Sequence, residues 1–372
     1  MTSARALHVV LTVNAAWNIW NFRRALVAAL LKDGHRITIL APEDDRVAHL
    51  RSLGAEFRPL AISGKGLNPL EGPGLYRSYN AAFRALRPDC VLGFTIKPNL
   101  FGAMAARTQG IAFIPNVTGL GTAFLSGGLL QFLAERLYTR AFRGLPVVFF
   151  QNADDRDLFV ARGLVTPAQA RLLPGSGIDT EYFAPAPLPD GPPIFLMIAR
   201  LLRDKGVREY ADAARAIRAE HPRAEFRLLG PVGTANRSAI GRAELDSWCR
   251  EGIITYLGTT ADVRPAIAGA HCVVLPSYRE GAPRTLIEAA AMARPLIATD
   301  VPGCRAVVEH GRTGLLCAPR DADALAAAFR RFLALPAAEQ AAMGTAGRAK
   351  MVAEYDQAHV IAAYRQALQE LC

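Results

Sequence analysis

The sequence contains no uninterrupted apolar run of the roughly 18 residues that a membrane-spanning helix needs. Its six cysteines include no CxxC pair and follow no even spacing, which argues against a disulfide framework and against a zinc site. Aromatic residues make up only 8% of the chain and are not interleaved with basic residues as in RNA-binding domains. We therefore predict a cytoplasmic protein with free, mostly buried thiols and no nucleic-acid partner.

Length and composition predict two packed domains. The chain has 372 residues, of which 51% are hydrophobic. Short β-branched runs alternate with helical patterns in both halves, which is typical of α/β domains with doubly wound, Rossmann-like parallel sheets. The proline-rich stretch 184–193 predicts a linker. We expect domains at 1–185 and 186–355, and a last helix at 356–372 that crosses back to the first domain.

The charge is uneven along the chain. The net charge is +10, and residues 1–185 carry 20 basic against 13 acidic side chains. This excess favours an anionic membrane surface or a lipid diphosphate as partner, hence peripheral contact with the inner face of the plasma membrane. A helix from about Pro69 to Leu86, with Arg77, Arg84 and Arg87, is a candidate contact. The alternatives are a helix that packs on the core and a generally arginine-rich composition.

The segment from Cys272 to Thr299 has the pattern strand, loop, helix, strand. A helix is predicted from Arg284 to about Ala293, after a loop that holds Glu280; Glu288 follows Glu280 by eight residues and lies in the helix. In such units ligands bind past the carboxyl ends of the strands, where helix N–H groups favour phosphate. Carboxylates accept hydrogen bonds from sugar hydroxyls, so the pattern suits a nucleotide sugar. The alternative is two surface glutamates.

Other candidates also follow predicted strands. Arg200 and Lys205 lie between the strand Ile194–Ile198 and a helix that begins near Val207, where two cations suit a diphosphate. The alternative is that both are solvated charges of a loop. The candidates in the first half are Asn14, Asn18, Lys97, Thr118, Gly119 and Gly121. A lone G-x-G is weak as a phosphate motif, and asparagines more often cap helices or form turns.

Two DxD patterns could suggest a metal, namely Asp155-x-Asp157 and Asp321-x-Asp323. Each precedes an apolar-periodic helix, so helix capping is the better interpretation. We predict Asp154 or Asp155 as the cap of the first helix, and we predict no metal site.

The segment from Val273 to Leu316 closely resembles the signature of the retaining glycosyltransferases of family 4, in which a Glu-x7-Glu motif lies between a strand and a helix. The matching positions are Glu280, Gly281, Pro283, Leu286, Glu288, Ala289, Pro295, Thr299, Asp300, Pro302, Gly303 and the turn Gly311–Gly314. The stretch 116–121, NVTGLG, is similar to a subgroup that glycosylates polyprenyl-diphosphate-linked saccharides. Thr118 takes the place of a histidine found in many members, so the role of that histidine does not carry over.

The resemblance implies the GT-B architecture, with two Rossmann-like domains that face a cleft, an acceptor domain first and a donor domain second. It implies that Arg200 and Lys205 hold the diphosphate, that Glu280 binds the donor sugar, and that Glu288 binds the ribose. Gly281, Ala282, Thr285 and Leu286 would complete the donor site, without a metal or other cofactor.

We accordingly predict a retaining hexosyltransferase for polysaccharide or glycan assembly. It would move a hexose or N-acetylhexosamine from a UDP-sugar to a lipid-linked saccharide. The alternatives are a nucleotide-sugar 2-epimerase of the same architecture and a non-catalytic, membrane-associated nucleotide-binding scaffold.

Overall fold

The computed structural model describes residues 5–62, 71–120, 128–233 and 238–372. The chain forms two compact units, Met1–Gly177 together with Gln357–Cys372, and Ile178–Asp356. We call them the N-terminal unit and the C-terminal unit. The break lies before the proline-rich stretch, because Ile178 and Phe183 are already buried in the core of the C-terminal unit.

The N-terminal unit is built on a seven-stranded, all-parallel sheet of order β3-β2-β1-β4-β5-β6-β7. Its strands are β1 His8–Thr12, β2 Arg36–Ala41, β3 Glu56–Pro59, β4 Cys90–Phe94, β5 Ala112–Val117, β6 Val148–Phe150 and β7 Ala170–Leu172. Its helices are α1 Ala16–Lys32, α2 Val47–Ser52, α3 Gly72–Leu86, α4 Ala103–Thr108, α5 Gly128–Phe142, α6 Ala153–Ala161 and, at the other end of the chain, α14 Gln357–Leu371. A π-helical turn, Pro98–Gly102, leads into α4.

The C-terminal unit is built on a six-stranded parallel sheet of order β10-β9-β8-β11-β12-β13. Its strands are β8 Ile194–Ile198, β9 Glu225–Leu229, β10 Thr255–Tyr256, β11 Cys272–Leu275, β12 Leu296–Thr299 and β13 Gly314–Cys317. Its helices are α7 Val207–Glu220, α8 Arg242–Arg250, α9 Arg264–Ala268, α10 Arg284–Ala291, α11 Pro302–Val307, α12 Ala322–Leu333 and α13 Ala337–Lys350. The prediction of two doubly wound α/β sheets is confirmed.

Each sheet has one point at which the strand order reverses. The chain leaves β1 toward β2 and β3 and later returns on the other side with β4; in the C-terminal unit the reversal lies between β8 and β11. Ligands of such sheets bind outside the carboxyl ends of the two strands at this point, because the loops there diverge and leave a crevice. The predicted Arg200, Lys205, Glu280 and Glu288 all follow β8 or β11.

The two DxD patterns differ in whether their first aspartate caps the helix that follows. The Asp321 side chain accepts a hydrogen bond from the Ala324 N–H at 2.8 Å and caps α12, as predicted. For α6 the prediction is wrong, because Asn152 is the cap and its side chain accepts from the Asp155 N–H at 2.8 Å. The amide can cap just as well as a carboxylate, and it comes first in the chain.

Helix α3 packs on the core through Leu75, Tyr79 and Phe83, whereas Arg77 and Arg84 are exposed on its other side. Its predicted beginning near Pro69 lies outside the described residues. In the part of the chain that the structure covers, every helix is too short or too polar to cross a bilayer.

Candidate active site

The loops that follow β8 and β11 are fastened to each other. After β8 the chain forms a short 3-10 turn, Arg203–Lys205, and the N–H of Tyr278 donates to the Asp204 carbonyl at 2.9 Å. Gly206 has φ +75°, and a Cβ there would lie 2.1 Å from the Pro276 carbonyl oxygen. Only glycine permits both this conformation and this close approach. The turn that carries Lys205 therefore has a fixed position against the β11 loop.

Lys205 and Glu280 form an ion pair across these two loops. The distance from Lys205 Nζ to Glu280 Oε1 is 2.5 Å, and the two side chains are 23% and 12% exposed. The Glu280 backbone is held in turn by Gly303, whose N–H donates to the Glu280 carbonyl at 3.2 Å. A Cβ on Gly303 would lie 2.6 Å from the carbonyl oxygens of Glu280 and Gly281, so the first turn of α11 packs directly on the loop.

Glu288 is paired within its own helix. Arg284 Nε donates to Glu288 Oε1 at 2.8 Å, and the two side chains are 23% and 14% exposed. Burial raises the pKa of the Glu288 carboxyl above its usual value; Arg284 works in the opposite direction, and Asp262 adds to the rise. The cation one helical turn away therefore favours the charged form of this carboxyl group, against the effect of burial.

The first turn of α10 has the properties of an anion site. It contains no acidic residue, and Pro283 precedes it in extended conformation without a side-chain cap. The Thr285 hydroxyl donates to the Ile198 carbonyl at 3.0 Å, which ties the helix start to the end of β8. The Leu286 N–H, a predicted donor to phosphate, already donates to the Pro283 carbonyl at 3.0 Å. This turn is also the positive end of the dipole of α10.

The remaining donor-site candidates lie at the same edge of the sheet. Arg200 is the second residue after β8; its side chain is exposed and has no hydrogen bond or ion pair within the described residues. Gly281 and Ala282 are half-buried in the β11 loop. The structure thus brings Lys205 and Glu280 into contact, whereas Arg200 stands alone and Glu288 has Arg284 as its partner.

The candidates of the N-terminal unit follow β1, β4 and β5. Asn14 is half-buried, and the Asn18 side-chain oxygen accepts a hydrogen bond from Arg23. Lys97 is 8% exposed and its Nζ lies 2.8 Å from Glu71 Oε2. Asn18 and Lys97 can therefore bind a ligand only if their contacts with Arg23 and Glu71 break or are shared.

After β5 the chain turns through half-buried Thr118 and Gly119, and Gly119 has φ +146°, which favours glycine. Gly121 lies outside the described residues. Over the described ranges, no three His, Cys, Asp or Glu side chains are grouped so that they could hold a metal ion.

Sequence reasoning missed two arginines at these edges. Arg284 is the first residue of α10, where a cation opposes the helix dipole, and Glu288 follows it at the i,i+4 spacing; both features were readable signals. Arg23 is 6% exposed, and its guanidinium lies over the Phe94 ring at 4.0 Å, at the end of β4. No local pattern distinguishes it from its exposed neighbour Arg24, because burial at that point depends on β4.

Two family profiles cover most of the chain. A profile described as "Glycosyl transferases group 1" matches residues 192–334, and one described as "Glycosyl transferase 4-like domain" matches residues 19–176. The first profile lies within the C-terminal unit and the second within the N-terminal unit. The first includes every predicted donor-site residue.

Curated relatives and a solved structure agree with the profiles. The chain is 26% identical over 330 residues to the N,N'-diacetylbacillosaminyl-diphospho-undecaprenol alpha-1,3-N-acetylgalactosaminyltransferase of Campylobacter jejuni, with 84% of this chain and 85% of that protein covered. It is 23% identical over 257 residues to the UDP-Gal:alpha-D-GlcNAc-diphosphoundecaprenol alpha-1,3-galactosyltransferase of Escherichia coli, with 65% and 66% covered.

The fold is similar to that of HepE from Anabaena, solved in complex with UDP. The TM-score is 0.80 at 15% identity, with 98% of this chain and 100% of that chain covered, so this likeness concerns the fold alone. With both sheets, both profiles and the GT-B fold in agreement, the chain belongs to the group 1, family 4-like glycosyltransferases.

Proposed function

We propose that this glycosyltransferase moves a hexose or N-acetylhexosamine from a UDP-sugar to a polyprenyl-diphosphate-linked saccharide, with retention of the anomeric configuration. The observation that carries the donor side is the contact between Lys205 and Glu280 at the β8–β11 reversal point. A cation for the leaving diphosphate and a carboxylate for the sugar hydroxyls lie side by side there. The acceptor class is supported by the two relatives, whose names specify undecaprenol-diphosphate-linked sugars.

The roles follow from charge and position. Lys205 and Arg200, together with the start of α10, stabilise the negative charge that grows on the departing diphosphate. Glu280 accepts hydrogen bonds from the donor sugar and orients its anomeric carbon, and Glu288 accepts them from the ribose. Glu280 is held by Lys205 and is not free as a nucleophile, so the acceptor hydroxyl attacks the anomeric carbon on the face that the diphosphate leaves. The bond from that carbon to the diphosphate oxygen breaks as the glycosidic bond forms, and the departing diphosphate takes the proton of the hydroxyl. The N-terminal unit takes the acceptor.

The proposed function is tested by supplying a panel of UDP-sugars with a synthetic polyprenyl-diphosphate disaccharide. We expect UDP release only with acceptor present, and a product whose anomeric coupling in proton NMR matches that of the donor. An inverted product would overturn retention. Incubation with UDP-GlcNAc alone completes the design, because UDP-ManNAc in that reaction would indicate 2-epimerisation instead of transfer.

The affinity for UDP is expected to weaken as the pH falls, because Glu288 must be ionised to accept from the ribose and burial raises its pKa. An acid with a raised pKa loses its charge at a higher pH than a free carboxyl does, so the loss begins closer to neutrality. Arg284→Met removes the cation that favours the charged form and moves the loss to still higher pH. Calorimetric titrations of UDP across pH 5 to about 8 measure both curves.

The diphosphate also titrates in this range, so Glu288→Gln provides the reference curve. The difference between the wild-type and Glu288→Gln curves belongs to the carboxyl group. A wild-type curve parallel to that of Glu288→Gln, or an Arg284→Met curve displaced to lower pH, would contradict the assignment of Glu288.

A further inference from the structure

A groove of about 620 Å³ lies on the helices of the N-terminal unit, between α3, α4 and α5. We call it the lipid-side groove. Its floor is apolar and includes Tyr76, Phe101, Met104 and Leu137. Its rim carries three guanidinium groups, from Arg107, Arg136 and Arg140. Cations around an apolar floor suit a ligand that is hydrocarbon at one end and anionic at the other.

Large apolar side chains next to the groove are open to solvent. Phe132 and Leu133, consecutive residues of α5, are 51% and 44% exposed. The Arg136 guanidinium lies 5.0 Å from the centre of the Phe132 ring. Apolar side chains that cluster on the surface and are bordered by charge mark interaction sites more often than single exposed leucines do.

The charge around the groove is one-sided. Residues 71–144 contain eight Lys or Arg and three Asp or Glu, namely Glu71, Asp89 and Glu135. All three acids already have basic partners, since Glu71 pairs with Lys97, Asp89 with Arg5 and Glu135 with Arg162.

The rim arginines therefore keep their charge available. Arg136 and Arg140 are exposed and have no ion pair with any described carboxylate. Arg107 is fixed in position, because its guanidinium donates to the Arg140 carbonyl at 2.6 Å and to the Arg143 carbonyl at 3.1 Å. These bonds satisfy the end of α5 and leave the positive charge of Arg107 uncompensated.

We propose that the lipid-side groove binds the hydrocarbon chain of a phosphate-bearing membrane lipid, and that Arg136 and Arg140 contact its phosphate. A neutral apolar ligand would offer no negative charge to the three arginines of the rim. A single-stranded nucleic acid would need exposed aromatic faces for several bases, and the floor supplies only two half-buried rings, those of Tyr76 and Phe101. The proposal goes beyond the transfer reaction, because it concerns the attachment of the N-terminal unit to lipid and holds for any donor sugar.

The test is flotation of the full chain with vesicles of phosphatidylcholine, with and without phosphatidylglycerol. We expect binding to the anionic vesicles only, and weaker binding as the salt concentration rises. Arg136→Ser with Arg140→Ser should weaken it about 30-fold, the equivalent of about 1 kcal/mol for each basic side chain. The matched control is Arg223→Ser with Arg250→Ser, two exposed arginines of the C-terminal unit, which should bind as the wild type does.

A second variant separates chain binding from adsorption to the surface. The fluorescence of a tryptophan in Leu133→Trp should be quenched by lipids brominated in the acyl chain. Absence of quenching, equal loss of binding in the control pair, or unchanged binding of the Arg136 and Arg140 variant would each overturn the proposal. UDP affinity of the groove variants should match that of the wild type, which keeps this test separate from the proposed transfer function.

Discussion

Replacing Lys205 by methionine is expected to lower the rate of glycosyl transfer by about 100- to 1,000-fold, the usual cost of removing one group that stabilises transition-state charge. Methionine has a similar length and fills the same space, so the loss concerns charge and not packing. Two effects add up. The departing diphosphate loses a cation, and Glu280, only 12% exposed, loses the partner that holds its carboxylate in place.

The measurement is kcat and kcat/KM with the authentic donor and acceptor. Glu280→Gln alone and combined with Lys205→Met should show strongly non-additive losses, because the two side chains act as one unit. Arg208→Met is the matched control: it also removes a cation from an ion pair, with Glu244 at 2.7 Å, but on an exposed face of α7. We expect its rate to stay within about twofold of wild type. Near-wild-type turnover of Lys205→Met would refute the assignment.

Replacing Arg294 by methionine is expected to lower the free energy of unfolding of the C-terminal unit by about 3–5 kcal/mol. Arg294 is completely buried, and burial lowers the pKa of its guanidinium to about 10, which leaves it charged at neutral pH. In the part of the chain that the structure describes, no carboxylate forms an ion pair with it. Its hydrogen bonds instead go to four backbone carbonyls, those of Ala186 at 3.0 Å, Pro187 at 2.7 Å, Ile267 at 3.0 Å and Ala268 at 3.0 Å.

The reason for the size of this effect lies in the carbonyls and not in the arginine. Methionine leaves the buried Ile267 carbonyl and the three part-buried carbonyls of Ala186, Pro187 and Ala268 without these donors. An unsatisfied buried group costs about 1–3 kcal/mol before the structure relaxes. Two of the carbonyls belong to the proline-rich stretch, so two of the hydrogen bonds that hold this stretch to the rest of the C-terminal unit are lost as well. Chemical denaturation followed by tryptophan fluorescence gives the value, with Arg223→Met as the exposed control. A midpoint equal to that of the control would show that the four bonds contribute nothing.

The proposed donor site is nearly neutral before any ligand arrives. Lys205 is paired with Glu280 and Arg284 with Glu288, so these four charges cancel in pairs. Within the described residues, Arg200 is the site cation whose side chain has no partner. An incoming diphosphate would thus interact with the Arg200 guanidinium first. Lys205 would bind it only if its ammonium group donated hydrogen bonds to the diphosphate and to Glu280 at the same time.

The regular elements of this site could be predicted because their signals are local. The strand Cys272–Leu275 is short and β-branched, Pro276 ends it, and the helix begins at Arg284 as predicted; it ends at Ala291, two residues before the predicted Ala293. The cap of α6 shows the limit of local reading: Asn152, Asp154 and Asp155 are all competent caps, and a shift of two residues in the helix start decides among them.

The sequence by itself determined the class of fold, the alternation of strands and helices, the loops that carry Lys205 and Glu280, the helix that carries Glu288, and the excess of positive charge in the first half. Tertiary structure alone decided that Lys205 meets Glu280, that Arg23 and Arg294 are interior and Arg200 is not, and that burial raises the pKa of Glu288. The physical reason is that periodicity is a property of neighbouring residues. Burial of a charge depends on carbonyls and carboxylates supplied by segments far away in the chain, and only folding brings those together.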